Sequence, residues 1–388
     1  MNDRTTDNAQ AEVMELIIEH GLGGMEAAFS ILFNEAMKIE RSRVLQADPY
    51  QRTDQRLGYA NGYKPKHIKS RLGRLDLQVP QVRGEVDFYP SALEKGERSE
   101  RALKLAMAEM YIKGISTRKV SRVLEKLCGL QFSSADVSRA SQSLDQELER
   151  WRNRPLGQVE YLIIDARYEH VRVDGQVRSC AVLLATGVLL NGKRTVLAVS
   201  ASLSEAEVHW RNFLLSLQKR GLHGLKLIIS DSHPGLKSAR ETVFPSVPWQ
   251  RCQVHLQRNA AAYVPRMHMR GQVVTDIRDI FNAPSRAEAD RLLEKAVIFY
   301  SDKASQLSKW METNIPEGLS FYAMPRSHWR RLRTSNMIER LNREIKRRTR
   351  VSSIFPHETS LLRLVTAVLM EVAEEWETDK TYLKLKKE

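Results

Sequence analysis

The sequence predicts a mixed α/β fold: a mixed sheet flanked by helices, with an all-helical insertion, behind a mainly helical and basic N-terminal region. Three observations carry this. Apolar runs separated by hairpin dipeptides between residues 160 and 199 read as strands. After them, helical periodicity alternates with short apolar runs of the buried-strand type. From Arg270 to Asn314 nothing reads as strand. A chain of 388 residues can bury a sizeable core and divides into two or three domains.

The first 46 residues read as two helices broken at Gly21–Gly24, with Val13, Leu16 and Ile17, then Ala27, Ile31, Leu32 and Ala36, at helical spacing. Arg52 to Arg74 is basic and turn-rich, containing Asn61-Gly62 and Lys64-Pro65-Lys66. Leu75, Leu77 and Val79 alternate with Asp76 and Gln78, a short strand running into Pro80. Three helices follow: Arg101 to Ile112, Ser116 to Leu127, and Ser133 or Ser134 to Leu148. Ser116 and Ser133 serve as N-caps, and Gly129 closes the second helix. With Arg118, Lys119, Arg122 and Arg139 on them, they match a helix-turn-helix reader of the major groove; an ordinary three-helix packing unit is the alternative. Arg152-Asn153-Arg154-Pro155 marks a linker.

Tyr161 to Ile164 is an apolar run ending at Asp165, and the strand resumes through Val171 and Val173. Asp174-Gly175 supplies the two positive φ angles of a type I′ turn. Cys180 to Leu190, Asn191-Gly192 and Thr195 to Val199 complete a three-stranded antiparallel meander. A helix from Ser204 to Lys219 has the capping-box pair Ser204 and Glu207. Leu225 to Ile229 is a buried-type strand ending at Ser230-Asp231, followed by helix, short strand (Val247 to Gln250) and helix. Ser285 with Glu288 caps a helix of the insertion. The last two helices run from about Asn336 to Arg348 and from Thr359 to about Trp376.

Charge narrows the partner. Sixty-one Lys and Arg against 47 Asp and Glu leave +14, which favours a polyanion, since cations placed near phosphates release condensed counterions. Between Arg326 and Arg350 stand ten basic residues and two acids, Glu339 and Glu344. Three cysteines (Cys128, Cys180, Cys252) give no disulfide framework and suit a reducing cytoplasm. No unbroken run of 18 apolar residues occurs and no apolar signal core opens the chain, so a cytoplasmic location with no membrane partner is expected.

Three carboxylates stand where chemistry would need them. Asp165 lies partway along a core strand, where an unpaired charge is strongly disfavoured. Asp231 ends another core strand just before a helix, where α/β sheets place ligands. Carboxylates on neighbouring strands suit Mg²⁺ or Mn²⁺, and paired ions of this kind serve phosphoryl transfer. Plainer roles exist for each: Asp165 could pair with Arg167, and Asp231 could cap the helix beginning near Pro234. Glu339 could bond back to an Asn336 cap or pair with Arg343. Glu344 competes with Glu339 but points about 140° away around the helix, and spacing alone does not choose between them.

The chain resembles the Mutator-type transposases of bacterial insertion sequences. The residues that carry the resemblance are Asp165-Ala166-Arg167-Tyr168, Trp210, Arg220-Gly221-Leu222, Ser230 to Leu236, Trp249 to His255, Thr334 to Asn342 and Lys346 to Val351. Asn61-Gly62-Tyr63 and Gly114 to Arg118 match upstream. Where that family often has two threonines before the asparagine, the second here is Ser335, which keeps the hydroxyl.

The resemblance implies a ribonuclease H-like catalytic domain with a helical insertion before the glutamate. It also implies a DDE triad of Asp165, Asp231 and Glu339 holding two divalent ions, Mg²⁺ or Mn²⁺. DNA partners would be the element's terminal inverted repeats and a target, cleaved and joined by a homodimer or larger assembly. Arg333, Asn336, Arg340, Arg343, Lys346, Arg347, Arg348 and Arg350 would have DNA-binding or structural roles. The family also carries Cys252-x-x-His255, which is half a zinc site by spacing, with His268 or His328 the nearest candidates to complete it; a structural or DNA-positioning role is expected instead. Trp210 and Trp249 read as core aromatics, with stacking on a flipped base the alternative. The expected divisions are 1–98 (helical and basic), 99–155 (helix-turn-helix-like), 156–269 (catalytic core), 270–318 (helical insertion) and 319–388 (core completion and last helix). A DNA-binding regulator without catalysis, or a nuclease that cuts without joining, would share most of these features.

Overall fold

A computed structural model describes residues 3–84, 86–350, 354–379 and 381–384, with side chains from residue 8 onward. Val351, last of the quoted motif residues, lies outside them. The chain divides into two units, residues 1–144 and 145–388.

The first unit opens with α1 (Asp3–His20), a 3₁₀ turn at Gly21–Gly24, and α2 (Met25–Leu45). A stretch within Asn8–Leu45 is long and apolar enough by composition to cross a membrane, though the 3₁₀ turn interrupts it. Then comes an antiparallel hairpin, β1 (Gly58–Ser70) and β2 (Gly73–Gly84). β2 alternates as expected: Leu75, Leu77 and Val79 are buried, and they pack with Met37, Phe29 and Phe33 of α2. The basic stretch from Arg52 to Arg74, read as turn-rich, is loop only to Leu57; from Gly58 it is strand, broken by the turn at Arg71-Leu72. β1 is almost wholly exposed and has no apolar alternation to reveal it; backbone pairing to β2 holds it. Asn61-Gly62 sits in a register shift between Ala60 and Tyr63, where Gly62 adopts φ +74°. Pro65 is tolerated because a two-stranded sheet has only edge strands.

Helices α3 (Arg101–Ile112), α4 (Thr117–Cys128) and α5 (Ser134–Gln142) complete this unit. Ser116 caps α4 and Gly129 closes it at φ +66°. Ser133 and Asp136 form a reciprocal capping box on α5. Val120, Leu124, Val137 and Ala140 face inward, leaving Arg118, Lys119, Arg122 and Arg139 exposed.

The second unit begins with α6 (Asp145–Arg152). The helix expected to run to Leu148 therefore breaks after Gln142, which lets Asp145 accept two hydrogen bonds from the buried Arg363 guanidinium. Strands β3 (Val159–Val173), β4 (Gln176–Leu189) and β5 (Arg194–Ser202) form the antiparallel meander. Asp174 and Gly175 both have positive φ, as a type I′ turn requires. α7 (Glu207–Lys219), β6 (Leu227–Ser230), α8 (Pro234–Val243), β7 (Trp249–Arg251) and α9 (Gln253–Ala260) follow. The sheet order is β5-β4-β3-β6-β7, with β6 parallel to β3 and β7 parallel to β6. This is a mixed five-stranded sheet.

One face is covered by α7 and α8, where Trp210, Phe213, Leu214 and Leu217 pack on Leu162, Ile164, Leu183 and Ala185. Each such buried side chain contributes about 1.5–3 kcal/mol. α7 starts later than the capping box predicted. Ala206 is its N-cap and Ser204 instead bonds the Ala206 N–H. The backbone there lies against Gly235, where a Cβ would meet the Glu205 carbonyl oxygen at 2.5 Å, so only glycine fits.

The helical stretch is α10 (Arg270–Asn282), α11 (Arg286–Ser301), capped by Ser285, and α12 (Ser305–Asn314). A short α13 (Trp329–Leu332) precedes α14 (Asn336–Thr349) and α15 (Glu358–Thr378). α14 packs on β3, and α15 on β3 and β5.

Candidate active site

The parallel pairing of β3 with β6 decides where the two aspartates go. Tyr161, Leu162 and Ile163 pair with Leu227, Ile228 and Ile229, so Asp165 and Asp231 stand two residues beyond the last pair on their strands. The apolar residues that bring each strand to this point, Tyr161 to Ile164 and Leu227 to Ile229, are fully buried or nearly so. Burial pushes the Asp165 carboxyl up to about 6; His255 opposes that rise, while Asp231 and Glu205 add to it.

The plainer partnerships do not form. Arg167 pairs with Glu169 and donates to the Asn342 carbonyl rather than to Asp165. Asp165 accepts from Asn342 Nδ2 at 2.8 Å. His233, not Asp231, is the N-cap of α8, and Asp231 Oδ1 accepts from the Ser232 N–H. The cap of α14 is Ser335, whose hydroxyl turns to Cys252 Sγ at 3.3 Å instead of to the helix. Glu339 therefore has no capping role, and no ion pair joins it to Arg343.

Asn342 and Glu339 are three residues apart, on one face of α14. Asn342 ties that face to Asp165, and Glu339 Oε1 is buried with no hydrogen-bond partner among the described residues. Glu344, by contrast, is bonded to Arg347 and Arg348. Among the described residues no three His, Cys, Asp or Glu side chains stand close enough to hold a metal ion. Asp165 and Asp231 are neighbours; Glu339 shares their region through its helix face without closing on them.

Cys252 and His255 open α9, which follows β7 directly. The thiol is fully buried, which opposes ionisation, but hydrogen bonds with His255 and Ser335 outweigh that and hold it below its ordinary value. His255 is raised to about 9, first by its hydrogen bond to Cys252 and further by Asp231 and Asp165, against burial. Its Nδ1 lies 3.9 Å from Asp231 Oδ1. His328 is engaged elsewhere, by Tyr161 Oη at 2.8 Å. The pair thus links the carboxylates to the α14 cap, a connection the Cys-x-x-His spacing alone did not reveal.

The surrounding motif residues are structural. Gln250 accepts from the Phe321 N–H, Arg251 donates to Asn314 and Glu317, and Gln253 donates to the Gly318 carbonyl. Trp210 is fully buried, and the Trp249 ring N–H donates to Ser230 Oγ, with the cations of Lys237 and Arg240 within 5.4 Å of the ring centroid. Of the basic residues, Arg340, Arg343, Lys346, Arg347 and Arg350 are exposed, as is Asn336. Arg333 turns inward to the Phe281 carbonyl and Asn282, and Arg348 to Glu344 and Glu371. Sequence reasoning left Asn342 out of the site. Its signal was available, because it lies one helical turn from Glu339.

Residues 2–379 match the family described as Transposase, Mutator family. The transposase for insertion sequence element IS406 of Burkholderia multivorans is 53% identical over 382 residues, covering 98% of both chains. That for ISRM5 of Rhizobium meliloti is 38% identical, covering 97% of this chain and 94% of its own. That for IS256 in transposon Tn4001 of Staphylococcus aureus is 35% identical, covering 95% of each. Among solved structures, a simian T-cell lymphotropic virus intasome with PP2A regulatory subunit B56 gamma aligns over 53% of this chain and 67% of its own, at 12% identity. Its TM-score of 0.17 is too low to indicate a shared fold.

Proposed function

The chain belongs to the Mutator family of transposases, and from that premise we propose that it cleaves DNA at the ends of an insertion sequence and joins them to a target through Asp165, Asp231 and Glu339. The observation that carries this reading is that, among the described residues, no arginine or lysine pairs with any of the three acids. Asp165 is raised to about 6 largely by burial, and Glu339 Oε1 is buried without a partner on the helix face that Asn342 ties to Asp165. Buried carboxyl groups lacking a cationic partner are costly unless a cation completes them.

Oxygen ligands of this type fit Mg²⁺ or Mn²⁺ by donor chemistry. When bound, a pair of such ions activates an attacking oxygen and stabilises a leaving one. The chain's own residues do the rest. Asp165 and Asp231 would hold ions from two rigid strands, with Glu339 supplied by α14. Asn342 fixes the Asp165 carboxyl, and His255, drawn toward the protonated form, offsets the charge of the two aspartates. Arg340, Arg343, Lys346, Arg347 and Arg350 would neutralise phosphates. No serine or tyrosine nucleophile is required, because water and then a 3′-hydroxyl can attack directly. The α3–α5 helices would read terminal inverted repeats, and bringing two ends together calls for a dimer or larger assembly. A ribonuclease H-like fold for the second unit agrees with the antiparallel meander followed by parallel β6 and β7.

The test is strand cleavage and joining on a labelled element end with Mg²⁺ or Mn²⁺, comparing wild type with Asp231→Ala. Metal-dependent products lost in the variant are expected. Binding without products from either protein would favour a DNA-binding regulator, and cutting without joining a nuclease.

A further inference from the structure

The positive charge of this chain is concentrated in two places. Between Arg326 and Arg350 the excess is eight; between Arg41 and Arg83, ten Lys or Arg face three acids. Together these stretches account for the whole net charge of +14, and the rest of the chain is close to neutral. The function proposed above uses only the first.

In the first unit the second stretch surrounds an open groove of about 1430 Å³ between α2, the 46–57 loop and the β1–β2 hairpin. Arg41, Arg52, Arg56 and Arg83 line it, with Glu35 and Asp54 as its acids; Glu35 is paired with Lys38. Three tyrosines lie in its wall. Tyr50 is fully exposed, Tyr59 is 57% exposed and Tyr63 46%. Guanidinium groups lie over two of these rings: Arg56 at 5.4 Å and Arg83 at 5.8 Å from the Tyr59 centroid, and Arg41 at 5.2 Å from that of Tyr63. A guanidinium held over an aromatic ring is fixed in place and keeps N–H donors free for an anion such as a phosphate.

Arg41 gives the sharper indication. Its side chain is only 6% exposed, yet its one side-chain hydrogen bond runs to Tyr63 Oη at 3.3 Å, and no carboxylate among the described residues lies within ion-pair distance. A buried guanidinium is normally matched by an anion. Here the wall of the groove holds the cation and leaves the anion to come from outside.

We propose that this groove binds the phosphate backbone of duplex DNA, as a contact surface additional to the α3–α5 helices. The inference rests on DNA being the substrate. Cations spread along an open groove suit a backbone rather than a single carboxylate, and backbone contacts position a protein without reading bases.

The experiment uses the full chain and fluorescence anisotropy on two labelled duplexes of about 40 base pairs, one carrying the element end and one scrambled. Wild type is compared with Arg83→Ser, an exposed position, with Arg56→Ser/Arg83→Ser, where Arg56 is half-buried and donates to the Asp48 and Gln51 carbonyls, and with Arg41→Met; thermal melts check folding. Affinity is expected to fall about tenfold for both duplexes near 0.1 M salt, with a log–log salt slope shallower by about 1 per lost phosphate contact. Element preference should stay unchanged. Folded variants that bind with wild-type affinity and slope would overturn the inference while leaving the catalytic reading intact, as would a loss confined to the element end. Polyglutamate binding that the variants abolish, with DNA binding intact, would assign the groove to an acidic protein segment instead. Failure of wild type to bind either duplex would overturn this inference and the transposase reading together.

Discussion

Two basic regions of the molecule bury an arginine to the same extent and surround it in opposite ways. Arg348 on α14 and Arg41 on α2 are each 6% exposed. Arg348 is met by Glu344 at 3.0 Å and by Glu371 at 3.3 Å. Arg41 is met by a tyrosine hydroxyl and ring. The first arrangement is complete within the fold; the second leaves a cation without its anion. The acids of α14 divide the same way, since Glu344 is bonded to two arginines while Glu339 Oε1 has no partner. Sequence position and residue type do not separate these cases. The surroundings do, and they distinguish charges that hold the protein together from charges oriented toward a ligand.

The strongest way to break the comparison is Asp165→Asn. Strand cleavage should fall by on the order of a thousandfold, measured on a labelled element end. In metal-free buffer the same variant should be more stable than wild type at pH 7, by about 2–3 kcal/mol. The Asp165 carboxyl is raised from an ordinary value of 3.8 to about 6 in the folded state, so its cost is fully present above pH 6. That cost disappears as pH falls through 6 toward 4, and the melting curves of the two proteins should converge over that window. Curves that stay parallel would show that Asp165 is not an uncompensated buried acid. Adding Mg²⁺ should stabilise wild type and leave the variant unmoved.

A second pair sharpens the contrast between the arginines. Arg348→Met strands two partly exposed carboxylates and should cost about 2–3 kcal/mol, a drop in Tm of roughly 4–10 °C for a unit of this size. Arg41→Met removes no ion pair and should leave Tm within about 2 °C of wild type or raise it. Equal losses in both would place Arg41 among the structural cations. The smallest effect expected is on α14 itself. Glu344→Gln should cost about 0.5–1 kcal/mol, while Glu339→Gln should cost nothing in metal-free urea titrations.

What the sequence revealed follows from how local each signal is. Asp165 at the end of Tyr161–Ile164, Asp231 after Leu225–Ile229, the caps at Ser116, Ser133 and Ser285, and the Asp174-Gly175 turn all depend on near neighbours, and all were readable. β1 was not, because an exposed strand with Pro65 and no apolar alternation carries no periodic signal and is defined by its partner β2. The Ser204 and Glu207 pair imitated a capping box, but packing against Gly235 moved the start of α7 to Glu207. Asn342 and Arg41 acquire their meaning only in three dimensions, one from a carboxyl 177 residues away and the other from a missing carboxylate. Choosing Glu339 over Glu344 rested on resemblance; the engagement of Glu344 with Arg347 and Arg348 supplies a physical reason that spacing lacked.

The parallel pairing of β3 and β6 also has a temporal consequence. Parallel neighbours need a crossover, and here Asp165 and Asp231 cannot meet until β4, β5 and α7 have been laid down between them. Glu339 arrives later still. Contacts so distant in sequence form late, after local helices and hairpins. During synthesis the residues of the first unit emerge and can fold well before the ribosome reaches α14. A nascent chain of this protein can therefore hold folded segments with exposed basic residues while the three acids are not yet together, so under the proposed function the capacity to cut would be among the last properties it acquires.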